Sequence, residues 1–158
     1  MATLETRRAQ LSDASIMSRL TLELGYDCTE VLMRQRFARL RDDPSHAVFV
    51  AALDGERVVG WVHVEARMPL WSDPFAEIMG LVVSVHQHRM GVGRALVERA
   101  MAWADSRGIG DLRAEVQLHR EAAHDFFESL GFELSEERQV WRRVAQGVEL
   151  DGHITLVD

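Results

Sequence analysis

Cysteine, proline and tyrosine are scarce in this chain of 158 residues, which holds one, three and one of them respectively. A lone Cys28 excludes an intramolecular disulfide and any metal site built on a cysteine pair, and it fits a reducing, cytoplasmic setting. No window approaches the roughly 18 consecutive apolar residues of a membrane span. The opening MATLETRRAQLSDAS is too charged for a signal peptide. Internal repeats, low-complexity tracts and Pro/Gly/Ser linkers are absent, so residues 1–158 read as one domain. Basic clusters are also rare, the clearest being Arg142-Arg143. With a net charge of -7 and a pI near 5.5, the chain lacks the basic face of a nucleic-acid binder. An acidic surface suits a cationic substrate such as an amine.

Apolar residues are plentiful at 47%, enough to fill a substantial core. Their spacing predicts a first strand over 6–10, then a helix with Asp13 at its N-cap and Ile16, Leu20 and Leu24 on one face. A second helix is expected over 29–40, with Val31, Leu32, Phe37 and Leu40 as its apolar side. Residues 47–53 and 58–64 flank an Asp54-Gly55 hairpin signal. In the return strand Trp61 and His63 are expected to share a face with Val59. A loop over 66–75 carries two prolines and Trp71, a candidate rim residue. Residues 78–85 are nearly all apolar and read as a central strand. Helical spacing returns over Val92, Leu96, Ala100 and Trp103, and Gly108 ends it. Another strand is expected around 112–116, then a short amphipathic helix closed by Gly131. From Phe132 onward strand is expected, with a C-terminal hairpin over 146–158 centred on Asp151-Gly152. The order is mixed α/β, with antiparallel strands first and helical crossovers later.

The chemistry concentrates in AEIMGLVVSVHQHRMGVGRALV, residues 76–97. A strand runs into a polar turn, Gly91-Val92-Gly93 follows, and a helix begins at once. Glycine lets backbone approach a ligand closely. The free N–H groups and dipole of a helix start favour an anion such as pyrophosphate. No Gly-Lys-Ser/Thr follows, which excludes a P-loop, and the third glycine of a dinucleotide fingerprint is missing. Glu77 lies upstream on the same strand. Partial burial there would raise its pKa towards that of a useful general base. A salt-bridged structural glutamate is the equal alternative.

These residues resemble motif A of the GNAT superfamily of acyl-CoA-dependent N-acyltransferases, Gln/Arg-x-x-Gly-x-Gly/Ala. Here the motif reads His88-Arg89-Met90-Gly91-Val92-Gly93, with His88 in place of Gln or Arg. HREAAHDFFESLGF, residues 119–132, resembles the motif B helix, and TRRAQLSDASIMSRL resembles the first strand and helix. The likeness spans about 6–144. It implies a central, mostly antiparallel sheet with helices on both faces and a V-shaped gap between the fourth and fifth strands, where acetyl-CoA binds. Backbone groups of Leu81, Val82 and Val83 would pair with pantetheine. Amides from Arg89 to Arg94 would hold the pyrophosphate, and an N–H near Leu81 would polarise the thioester carbonyl.

Within that resemblance Glu77 is the candidate base and His63 and His119 are fallback bases. Phe127 stands where many relatives carry a tyrosine proposed as the acid for the leaving thiolate, and phenylalanine cannot donate a proton. Arg120 stands where many carry Asn near the pantetheine arm and would reach CoA phosphates. Tyr26 and Trp71 are the candidate substrate contacts. His86 and His88 lack a third ligand at useful spacing, so no metal is expected. The sequence thus predicts a cytoplasmic N-acetyltransferase that transfers acetyl from acetyl-CoA to a primary amine of a small molecule, with no nucleic-acid or membrane partner. A protein Lys or N-terminal acetyltransferase, a CoA-binding regulatory module and a nucleotide-binding protein stay open as alternatives. The C-terminal hairpin leaves a homodimer open.

Overall fold

The computed structural model describes residues 2–87 and 90–150. Its elements are β1 (Leu4–Arg8), α1 (Ala14–Glu23), α2 (Glu30–Leu40), β2 (His46–Leu53), β3 (Arg57–Arg67), β4 (Phe75–Val83), α3 (Val92–Ser106), β5 (Leu112–Ala114) and α4 (Glu121–Ser129). The five strands form one sheet in chain order. The first three pairings are antiparallel and β4–β5 is parallel. A parallel neighbour needs a crossover, and α3 supplies it.

Alternating side chains divide the sheet into two cores. Val62, Val64, Ala76 and Ile78 pack with Leu96, Val97 and Ala100 of α3. Val50, Val58 and Val82 pack with Ala14, Met17 and Leu20 of α1 and Met33 of α2. α2 buries Phe37, as its spacing predicts, together with Met33, while Val31 is exposed. Thr29 caps α2 by accepting from the Leu32 amide at 3.2 Å. Asp13 precedes α1 but makes no cap bond to it. Its carboxylate accepts from the Gln10 amide and from both terminal nitrogens of Arg7, tying β1 to the turn before α1.

Two irregularities set which residues face which core. The β2–β3 register slips between Ala51 and Ala52, where Gly60 and Val58 are their partners and Val59 is the extra residue. Such a bulge breaks the alternation. Val59 therefore joins the α3-side core while Trp61 packs on the α1–α2 side, against the expectation that the two share a face. A second slip makes Met79 the extra residue of β4, between Ile78 and Gly80. Residues 132–150 form no strand, which corrects the expectation of strand from Phe132. A strand needs a ladder partner, and β5 has only three residues, while Leu134, Val140 and Trp141 stand exposed. Of the expected hairpin, 146–150 is not strand and 151–158 lies outside the described residues. Among the described residues no helix is long and apolar enough to cross a membrane.

Candidate active site

β4 pairs with β5 only over Ala76–Ile78 and with β3 along its length. Past Ile78 its β5-facing edge, Met79 to Val83, has no ladder partner among the described residues, so an extended ligand can add there as a strand would. Leu81 and Val83 send their side chains to the α3-side core and Val82 to the other. Only their backbone is left to offer.

At the end of that edge the chain turns into α3. Gly91 is the N-cap residue, left-handed at φ 77°, and no side chain caps the helix. Among the described residues a Cβ at Gly91 would meet nothing within 4 Å. Gly93 lies against the Phe126 ring, which a Cβ would meet at 3.1 Å. The first amides of a helix have no intrahelical partner, and here no acidic side chain occupies the first turn. The turn and the free edge therefore fit a phosphate-bearing chain such as CoA. Met90 is exposed and Val92 is buried. Arg94 turns its guanidinium to Glu98, 3.0 Å away, so the backbone at 94 rather than the side chain faces the seat unengaged. His88 and Arg89 lie outside the described residues.

Across the sheet from α3, β3 and β4 display a charged row. Glu77 sits opposite Glu65 on β3 and Arg113 on β5. Its side chain is 12% exposed and accepts from Arg67 Nη1 at 3.1 Å. Burial pushes the Glu77 carboxyl above its ordinary pKa, the charge of Glu115 adds to this, and Arg67 opposes it. The result is a carboxylate with raised basicity beside the gap, as a general base requires.

A cavity of about 240 Å³ opens on the same face, walled by Met17, Tyr26, Met33, Phe37, Trp61 and His63, among others. Trp61 spans Gly80, whose Cβ would meet the indole at 2.9 Å, and donates to Thr21 Oγ1 at 3.1 Å. Tyr26 lines the cavity. Its hydroxyl accepts from Arg120 Nη1 at 3.2 Å, which joins the α1–α2 loop to the start of α4. Arg120 thus has a partner at this end of the molecule. Trp71 is 77% exposed on the loop over 68–74 and is not part of the cavity wall. Phe127 packs edge-to-face with Phe126 and Phe132 at 5.1 and 5.2 Å. It is a packing residue of α4. A wider hollow of about 550 Å³ lies by Pro74 and Arg107 to Asp111. That is the far end of α3, which has 15 residues and so spans about 22 Å.

Sequence reasoning missed Glu65, Arg67, Glu115 and His46. Period-two spacing from Trp61 would have placed Glu65 and Arg67 on the face of His63. Nothing local marked His46, which strand pairing brings in, or Glu115, which directly follows β5.

Residues 14–132 match the acetyltransferase (GNAT) family. An aminoglycoside N(6')-acetyltransferase type 1 from Stenotrophomonas maltophilia is 32% identical over 135 residues, covering 82% of this chain and 86% of that protein. The chain belongs to the GNAT family. Its class is acyl-CoA-dependent N-acetyltransferase, with CoA or acetyl-CoA as the ligand of that class. Solved structures share the fold. An aminoglycoside antibiotic 6'-N-acetyltransferase from Acinetobacter baumannii superposes with a TM-score of 0.78 at 18% identity, covering 90% of this chain and 99% of that one. The aminoglycoside N-acetyltransferase AAC(6')-Iy was solved with the bisubstrate analog CoA-S-monomethyl-acetylneamine. It gives a TM-score of 0.79 at 16% identity, with the same coverage of 90% and 99%.

Proposed function

We propose that this chain acetylates a primary amine of a small, cationic molecule, and that Glu77 is its general base. The observation that carries the reading is Glu77, its side chain 12% exposed, on the strand whose free edge leads to the glycine turn. The acidic neighbours Glu65 and Glu115 favour an acceptor with more than one positive charge. The aminoglycoside relative supports the same choice.

Acetyl-CoA, when bound, supplies the thioester carbonyl and a thiolate leaving group. The backbone of Leu81 to Val83 offers hydrogen bonds along the free edge, with an N–H near Leu81 directed at the carbonyl oxygen. The amides from Met90 to Arg94 hold the pyrophosphate. Glu77 takes a proton from the acceptor ammonium, directly or through water, and the freed amine lone pair is the nucleophile. Phe127 offers no proton, so the thiolate leaves unassisted by that position. Tyr26, on the wall of the cavity, borders the acceptor, and Trp71 does not.

The test is CoA release from acetyl-CoA over a panel of aminoglycosides, polyamines, simple amines and Lys-containing peptides. Turnover with a small polycationic amine, and loss of at least about a hundredfold in kcat in Glu77→Gln, is the expected result. Turnover confined to peptides would replace this reading with protein acetylation. CoA binding without turnover of any amine would replace it with a CoA-binding module.

A further inference from the structure

Two histidines that the mechanism does not use meet beside the acceptor cavity. His46 Nδ1 and His63 Nε2 are 2.9 Å apart, joining β2 to β3 by a direct imidazole–imidazole hydrogen bond. Their rings meet edge to edge, with centroids 5.1 Å apart and planes tilted by 31°. The outer nitrogen of His46, Nε2, faces Glu65 Oε1 at 3.8 Å and Asp43 Oδ2 at 3.9 Å. His63 lines the cavity wall, and its backbone is paired with Gly80, next to the bulge of β4.

The order of these groups fixes the tautomers. Two carboxylates beside His46 Nε2 favour a hydrogen on that nitrogen, which makes Nδ1 of a neutral His46 an acceptor. The shared bond must then be donated by His63 Nε2. The second nitrogen of His63, Nδ1, is left as a lone pair with no partner among the described residues. We infer that His46 acts as a positioning residue that presents His63 Nδ1 to the cavity as a hydrogen-bond acceptor for a second ammonium or hydroxyl group of the acceptor molecule. This rests on reading the cavity as the acceptor pocket.

Burial, with the charge of His46 next, holds the pKa of His63 down to about 4, so His63 stays neutral near pH 7 and keeps its Nδ1 lone pair for the cavity. The charges that face His46 are Asp43 from the loop before β2 and Glu65 from β3, with Arg67 3.8 Å from Glu65. Those that share the cavity with His63 are Tyr26 and Asp27 beyond α1, Cys28, and Arg36 from α2. From β4, Glu77 shares Arg67 with Glu65.

Long-range proton–nitrogen spectra of histidine-labelled protein test this without any substrate, with His46→Gln and His63→Gln giving the assignments. The expected result is His63 as the Nε2–H tautomer at neutral pH, with that hydrogen bonded to His46 Nδ1. An Nδ1–H tautomer of His63 at neutral pH would overturn the inference. With an acceptor amine in hand, His63→Ala and His46→Ala should each raise its KM by roughly tenfold, the loss of a hydrogen bond to a charged group, with a smaller change in kcat. His46→Gln keeps an acceptor for His63 Nε2, so it should hold KM closer to that of the unaltered protein than His46→Ala does. An unchanged KM in both alanine variants would also sink the inference. Failure of every amine to react would count against the proposed function instead and leave the tautomer result to decide this one.

Discussion

At the scale of the residue, Glu77 sits under influences of opposite sign. Burial and Glu115 raise its pKa, and Arg67 lowers it. A general base works in its ionised form, so the acid limb of kcat/KM follows the free enzyme's Glu77. Arg67→Ala removes the opposing influence and should move that limb to higher pH. Glu115→Gln removes a raising one and should move it to lower pH. Glu115 is exposed, so its effect should shrink as salt rises, because exposed charges are screened within about 10 Å at 0.1 M. Kinetics across pH at two ionic strengths check both signs. An acid limb that moved with neither variant would assign the base elsewhere.

At the scale of the element, two glycines do different jobs. Gly60 lets β3 pass close to its neighbours: a Cβ there would meet Val82 O at 2.9 Å and Leu96 at 3.0 Å. Backbone cannot yield as a flexible side chain does, so Gly60→Ala should cost about 1–3 kcal/mol, read by denaturant unfolding. Among the described residues nothing would crowd a Cβ at Gly91, but its φ is left-handed at 77°. Gly91→Ala should cost about 1–2 kcal/mol through strain and also weaken CoA binding, because it alters the turn that aims the α3 amides. Gly60→Ala should lose stability with far less loss of CoA affinity. Comparing unfolding with CoA titration separates the two.

At the scale of the whole molecule, the two cores and the split sheet form one body whose gap fits CoA. A ligand that binds only the folded state at 100 times its Kd should stabilise it by about 2.7 kcal/mol. Thermal melts with acetyl-CoA, CoA, ATP and NAD should show that rise for the CoA compounds and none for the others. A shift with NAD or ATP alone would contradict the seat assigned to the glycine turn.

Much of this architecture is legible in the chain. The apolar run of β4, the glycines before α3 and the Asp54-Gly55 turn are set by local chemistry. Asp54 and Gly55 both take positive φ, 54° and 77°, the conformation such a hairpin turn demands. Glu77 could be picked out because its strand and its distance from the glycines are sequential facts. What the tertiary structure alone decided is which side chains meet. One extra residue at Val59 and one at Met79 change the face of everything beyond them, and a bulge has no reliable local signal. Glu65 opposes Glu77, and His46 reaches His63, only through strand pairing between residues 12 and 17 positions apart. Spacing along a strand fixes direction, but the neighbour across the sheet is fixed by register, and register is a property of the whole packed sheet.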